Sequence, residues 1–323
     1  MRFRLLLVSA LALAAGVASA QNARQLYNQD HLAELLYAHR DSNLAEIPVV
    51  NYDYYVLGHE SGNSILARHM LYERVGEGDA ARGKERLDMA AFLNGVVMSD
   101  LGVGDTLILP SAYDLDARAY SPFPREYAGA AGFDKLFVIH KTVQAWAAYE
   151  HGQLARWGLV STGADESETP SGRFNFNWRE RHRVSTLSPP GQSWDMRWVF
   201  NFHDARGIHV HQYYALPTTG AASHGCVRLM TADAQWIYDW ADGWQTTNGG
   251  ADRGLASRGR ILKQGTTVLV LGDQPPGAPR RFHEVDGHPD LVRVTLPADP
   301  YSVPPGTPQQ RLFDQRRASA SRS

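Results

Sequence analysis

The 323 residues carry 32 lysines and arginines against 34 aspartates and glutamates, a formal net charge of −2, so no basic field marks the chain as a nucleic-acid binder. With 43% hydrophobic and 20% charged residues the composition suits a globular protein with a real core, and the length suits about two domains. A single cysteine excludes a disulfide framework within the chain.

In chain order, Met1 to Arg4 is basic, Leu5 to Val17 is apolar, and Ala18-Ser19-Ala20 is a small-x-small site. That pattern predicts a secretory signal peptide over 1–20, too short to span a membrane as a helix. No other stretch approaches the roughly 18 apolar residues of a spanning helix. The mature protein is expected to be periplasmic or secreted, without a membrane span.

Residues 21–131 read as an N-terminal α+β region. Leu26, Leu32, Leu35, Leu36 and Ala38 predict an amphipathic helix between Ala23 and about Ala45, limited by Pro48. Val49 to Leu57 predicts a strand, and Ser64 to Arg82 a helix that breaks into a charged, glycine-containing loop. Met89 to Asn94 predicts a short helix, and Leu101 to Pro110 a Gly-Asp turn with a strand closed by proline. This last segment weakly resembles the second half of a LysM glycan-binding repeat; a purely structural N-terminal domain is the alternative. Tyr113 to Ala131, with Pro122, Pro124 and Gly129, reads as a connector.

The texture then changes to short strands. They are predicted at Lys135–His140, Thr142–Glu150, Ala155–Ser161, Gly172–Phe176, Trp194–Phe202, Gly207–Tyr214 and Thr267–Leu271. Regular spacing of this kind predicts a mainly β, sandwich-like or barrel-like domain over 132–273. One clear helix follows Thr231, a candidate N-cap, with Ala234, Trp236, Ile237, Trp240 and Ala241 as its apolar positions. Residues 274–323 form a Pro/Arg/Ser-rich extension, expected to be disordered from about 305.

The chemistry concentrates in Ser223-His224-Gly225-Cys226-Val227-Arg228-Leu229 and, just upstream, Gly207-Ile208-His209-Val210-His211. A thiol attacks as its thiolate and needs an imidazole or cation beside it. In an exported chain an odd cysteine suggests a reactive thiol or an intermolecular bridge. Against this stand two plainer readings. A lone cysteine is commonly a small buried hydrophobe, but here glycine and polar residues flank it. His209, His211, His224 and Cys226 offer zinc donors, but the spacings of common zinc modules are absent. No metal or other cofactor is expected.

Three landmarks in order resemble one family, the L,D-transpeptidase (YkuD) catalytic domain of bacterial cell-wall enzymes: Val160-Ser161-Thr162-Gly163, then Thr169-Pro170-Ser171-Gly172-Arg173-Phe174, then the His strand with Ser223 to Leu229. The resemblance implies that Cys226 forms a thioester with a peptidoglycan stem peptide, releasing the terminal D-residue. An amine of a second stem then makes a 3→3 cross-link. It implies His211 as the base, on the family's Gly-Ile-x-aliphatic-His pattern, although Gln212 stands where a glycine is usual; His209 remains open for the same role. Arg228 is expected to hold a stem carboxylate, or else to be a solvated surface arginine. Main-chain N–H groups around Gly225 and Cys226 are expected to meet the oxyanion, with Ser223 and His224 shaping the loop. The expected partners are stem peptides, with an outer-membrane lipoprotein as one conceivable acceptor. A same-fold hydrolase and a non-catalytic wall-binding protein are the alternatives.

Overall fold

The computed structural model describes residues 28–41, 43–216, 220–247 and 260–302. The signal-peptide segment and the tail beyond 302 lie outside them. Helix α1 spans Gln29–Tyr37, shorter than expected, and is followed by strand β1 at Tyr52–Val56. Helices α2 (Ser64–Val75) and α3 (Ala80–Asn94) then lead to β2 (Thr106–Pro110), which pairs antiparallel with β1. The charged run expected to be a loop is instead the first half of α3. Asp79 caps it by accepting the N–H groups of Ala81 and Arg82, and its charged residues form the wet face. Gly83, a loop signal in the sequence, is there for contact: a Cβ at this position would sit 1.7 Å from the Tyr72 carbonyl oxygen on α2. Glycine lets the two helices cross that closely.

Strands between Leu136 and Leu271 build one sheet of nine. In chain order they are β3 (Leu136–His140), β4 (Ala145–Glu150), β5 (Gln153–Ser161), β6 (Gly172–Asn175), β7 (Trp178–Val184), β8 (Asp195–His203), β9 (Ile208–Gln212), β10 (Val227–Leu229) and, later, β13. Between β10 and β13 come helix α4 (Thr231–Trp240) and a small pair, β11 (Gln245–Thr246) and β12 (Ile261–Lys263); β13 is Thr267–Leu271. The spatial order is β6-β13-β3-β4-β5-β10-β9-β8-β7. Its two edge strands, β6 and β7, are joined by only Phe176 and Asn177, so the sheet must curl until its edges meet. Phe176, just past β6, stacks on Phe200 of β8 at 4.2 Å, while Asn177 N–H extends the β7–β8 ladder by donating to the Asn201 carbonyl.

The curl encloses one core of Phe137, Ile139, Trp146, Val160, Phe200, Val210, Val227, Leu229 and Val268, closed by Ile237 and Trp240 of α4. The outer faces of β3 to β5 are not left to solvent. Leu136, Val138, Tyr149 and Leu159 share a second core with Leu32, Leu36, Leu87 and Phe92 of α1 and α3. Burial on both faces explains why β3 reads as a continuous apolar run rather than an alternation. Residues 282–291 form a hairpin, β14 (Phe282–Val285) with β15 (His288–Leu291), that returns to the N-terminal region; Phe282 meets Tyr52 of β1 edge-on at 5.1 Å. The architecture is therefore mainly β around a curled sheet, with a smaller α+β unit packed on it.

Candidate active site

The site is built on two neighbouring parallel strands. In the β9–β10 pair, Val210 lies opposite Val227 and His211 opposite Arg228. One step back along the same register sets Cys226 level with His209. Side chains alternate across a strand, so Val210, Val227 and Leu229 point into the core while His209, His211, Cys226 and Arg228 share the other face. All four line one cavity of about 190 Å³. The arrangement brings together every charged or nucleophilic residue singled out in the sequence.

A second loop latches the cysteine loop. Gly163 bridges to Ser223, and Ala164 N–H donates to the Ser223 carbonyl at 2.8 Å. The fully buried Thr169 hydroxyl accepts the Gly163 N–H at 2.9 Å and donates to the Gly225 carbonyl at 2.8 Å. This is what the Ser-Thr-Gly and Thr-Pro landmarks do physically. Within the cysteine loop, Ser223 Oγ donates to the Cys226 carbonyl and accepts the Gly225 N–H at 3.0 Å. Ser223 thus shapes the turn, and Gly225, at φ +109°, supplies a conformation that other residues rarely take. Its N–H is already committed to Ser223, so the expectation of Gly225 as an oxyanion donor does not match this geometry.

The two histidines sit in different surroundings. His209 Nδ1 is 3.1 Å from Asn201 Nδ2, and its ring meets Trp178 edge-on at 5.1 Å. His211 Nδ1 is 2.8 Å from the Gln212 carbonyl oxygen. A carbonyl only accepts, so Nδ1 of His211 carries the proton and Nε2 of the neutral ring keeps its lone pair. Burial pulls the His211 pKa down to about 4, against the Gln212 hydrogen bond and together with the Arg228 charge. Cys226 is half-buried; burial pushes its thiol up, opposed by a main-chain hydrogen bond from His209 and by the charges of Arg228 and Arg183. Both shifts favour the neutral forms, thiol and imidazole, over a thiolate–imidazolium ion pair.

Arg228 is not a surface residue. It is 8% exposed, its guanidinium lies 4.2 Å over the Tyr213 ring, and it donates to the Ala222 carbonyl at 3.2 Å. No carboxylate pairs with it among the described residues. His224, by contrast, is exposed and stacks on Trp194 at 5.0 Å. Trp194 and Arg183, from the β7–β8 hairpin, also line the cavity and were not legible as site residues, because nothing near them in sequence carries a motif. No group of three or more candidate metal ligands occurs among the described residues.

No curated protein sequence matches the chain. Among solved structures it is similar to an L,D-transpeptidase from Mycobacterium smegmatis (19% identity, TM-score 0.33, covering 43% of this chain and 58% of that one). It is similar also to Mycobacterium tuberculosis L,D-transpeptidase 1 (19%, TM-score 0.30, 43% and 62%). An Enterococcus faecium L,D-transpeptidase mutant matches at 16% identity, TM-score 0.32, covering 42% and 49%. The chain thus spans less than two thirds of each of these three. The family model for YkuD, the L,D-transpeptidase catalytic domain, matches residues 134–270, from two residues before β3 to within β13. The 134–270 segment of this chain is therefore a member of the YkuD, L,D-transpeptidase catalytic domain family.

Proposed function

We propose that this protein is an exported cysteine acyltransferase that joins peptidoglycan stem peptides in the cell wall. The observation that carries the reading is the pairing, in one cavity, of the Cys226 thiol with a buried, carboxylate-free Arg228. A buried guanidinium without a counter-charge is costly, and a substrate carboxylate would relieve that cost with two parallel hydrogen bonds. The stem peptide is a carboxylate-bearing substrate of that kind.

In the proposed reaction, His211 Nε2 takes the thiol proton as Cys226 Sγ attacks the donor carbonyl next to the terminal D-residue. Because burial favours the neutral form of both groups, proton transfer in this scheme accompanies attack rather than preceding it. The Cys226 N–H, next to the sulfur, is the proposed main-chain donor to the oxyanion, since the Gly225 N–H is spoken for. His211 returns the proton to the departing amine, leaving a thioester. The amine of a second stem then attacks, its proton passing to His211 and on to the departing thiolate. His209, held by Asn201 and Trp178, orients the strand beside the sulfur in this scheme.

Incubation with a carbapenem tests the nucleophile: intact mass should show an acyl adduct, absent in Cys226→Ala. Disaccharide-tetrapeptide tests the outcome: a cross-linked dimer with released D-amino acid is expected. Free tripeptide alone would make the enzyme a hydrolase. Neither adduct nor any product would sink the reading.

A further inference from the structure

We infer that Gln29, the first residue of α1 and outside the family-matched segment, is a positioning residue for the site built on β9 and β10. Its side chain is 2% exposed, and every hydrogen-bonding valence of its amide is used. Nε2 donates to the Tyr213 carbonyl at 2.8 Å and to the Leu216 carbonyl at 3.2 Å. Oε1 accepts from the Thr231 N–H and from Thr231 Oγ1, each at 3.0 Å.

These partners are where the two site strands exit. Tyr213 follows β9 two residues after His211, and its ring carries the Arg228 guanidinium. Thr231 opens α4 two residues after β10 ends and three after Arg228. The Tyr213 N–H also donates to the Leu229 carbonyl at 2.7 Å. One amide therefore ties the exit of the histidine strand to the exit of the cysteine strand. Thr231, expected from the sequence to cap α4, does not do so; the helix has no side-chain cap of its own, and Gln29 supplies one from α1. A second contact holds α1 against the same helix: Tyr37 OH donates to Asp233 at 2.8 Å, and Arg156 pairs with that carboxylate at 2.7 Å.

The inference rests on the proposed reaction only for its effect on turnover; the placement of the strands is read independently. Two variants separate positioning from simple stability. Gln29→Ala leaves the Tyr213 and Leu216 carbonyls and the Thr231 N–H unpaired. Gln29→Glu keeps the shape and the Thr231 cap, but as a carboxylate it cannot donate to the two carbonyls. Burial and those carbonyls favour its protonated form, which regains one donor, so the defect should fade as pH falls from about 8 to about 5. Asp233 with Arg156, and Arg228 over Tyr213, are common to both proteins, so the ratio of variant to wild type isolates position 29.

The expected results are faster amide exchange at Tyr213–Leu216 in both variants, and at Thr231 in Gln29→Ala, which alone loses the cap. Cys226 alkylation by iodoacetamide should show an altered pH profile, with the Gln29→Glu ratio to wild type returning toward one at low pH. Carbapenem acylation should slow by about tenfold or more in Gln29→Ala. Unchanged exchange at those amides, or a Gln29→Glu ratio that does not move with pH, would overturn the inference. If wild type takes no carbapenem while exchange and alkylation respond as expected, the proposed function fails and the positioning role stands.

Discussion

Arg228 lies directly opposite His211 in the parallel β9–β10 pair, so a permanent positive charge faces the ring that is proposed to accept the thiol proton. The charge lowers the His211 pKa and, across the same face, draws the Cys226 pKa down against burial. Arg228 thus bears on both partners while waiting for a carboxylate of its own.

Replacing Arg228 should therefore do two separable things. Arg228→Ala should lower kcat/KM for the stem-peptide donor by about a hundredfold, the scale of losing a buried charge-assisted contact. It should also let the His211 pKa rise from about 4, moving the acid limb of the kcat/KM profile to higher pH. Arg228→Lys should keep the limb nearer its place yet lose affinity, because an ammonium lacks the planar fork. A pH profile of the three proteins checks both effects.

The free thiol should behave as a sluggish nucleophile. Burial favours the protonated sulfur, so alkylation of Cys226 by iodoacetamide at neutral pH should be slower than that of an exposed cysteine. The rate should keep rising beyond about pH 8.5, the ordinary thiol value. Arg228→Ala should push the midpoint higher still. A plateau below about pH 7 would mean a resting thiolate and contradict the neutral pair.

How far the sequence reached depended on where each residue finds its partners. The cysteine loop was readable because its chemistry is local: Ser223, Gly225 and Cys226 organise one another within four positions, and His209 and His211 share a face by strand alternation alone. Strand β13 was readable end to end because its apolar run is bounded by a turn and glycine. Helix α3 was hidden by its own charged face and by Gly83, whose reason is a contact with α2 rather than a turn. The use of the Gly225 N–H depended on a side-chain rotamer no spacing encodes. Gln29 was beyond reach altogether, since its partners lie as far as 202 positions away.

Acid should weaken the fold through histidines kept neutral. Burial pulls both His211 and His140 down to about 4 from the usual 6.5. For His140 the Asp273 charge opposes burial and Lys141 assists it. The unfolded chain binds these protons first, so their contribution is fully present above about pH 6.5 and is lost progressively as pH falls through 4. Each can account for about 3 kcal/mol at most. Urea unfolding at about pH 7 and pH 4.5 should show the loss, and His140→Gln should make the dependence shallower.

Thr169 offers the last test, because one hydroxyl joins the Thr-Pro loop to the cysteine loop. It accepts from Gly163 and donates to Gly225, and it is wholly buried. Thr169→Val keeps the shape but strands a buried N–H and a buried carbonyl, costing about 2 kcal/mol or more. The Gly225 carbonyl is then free to turn, and with it the peptide that delivers Cys226, so carbapenem acylation should fall by about tenfold. Thr169→Ser restores the hydroxyl and loses only a methyl group, so it should acylate within about twofold of wild type while unfolding slightly earlier. Equal acylation by the valine and serine variants would show that the sulfur is held by its own loop alone, with the Thr-Pro segment serving only the stability of the sheet.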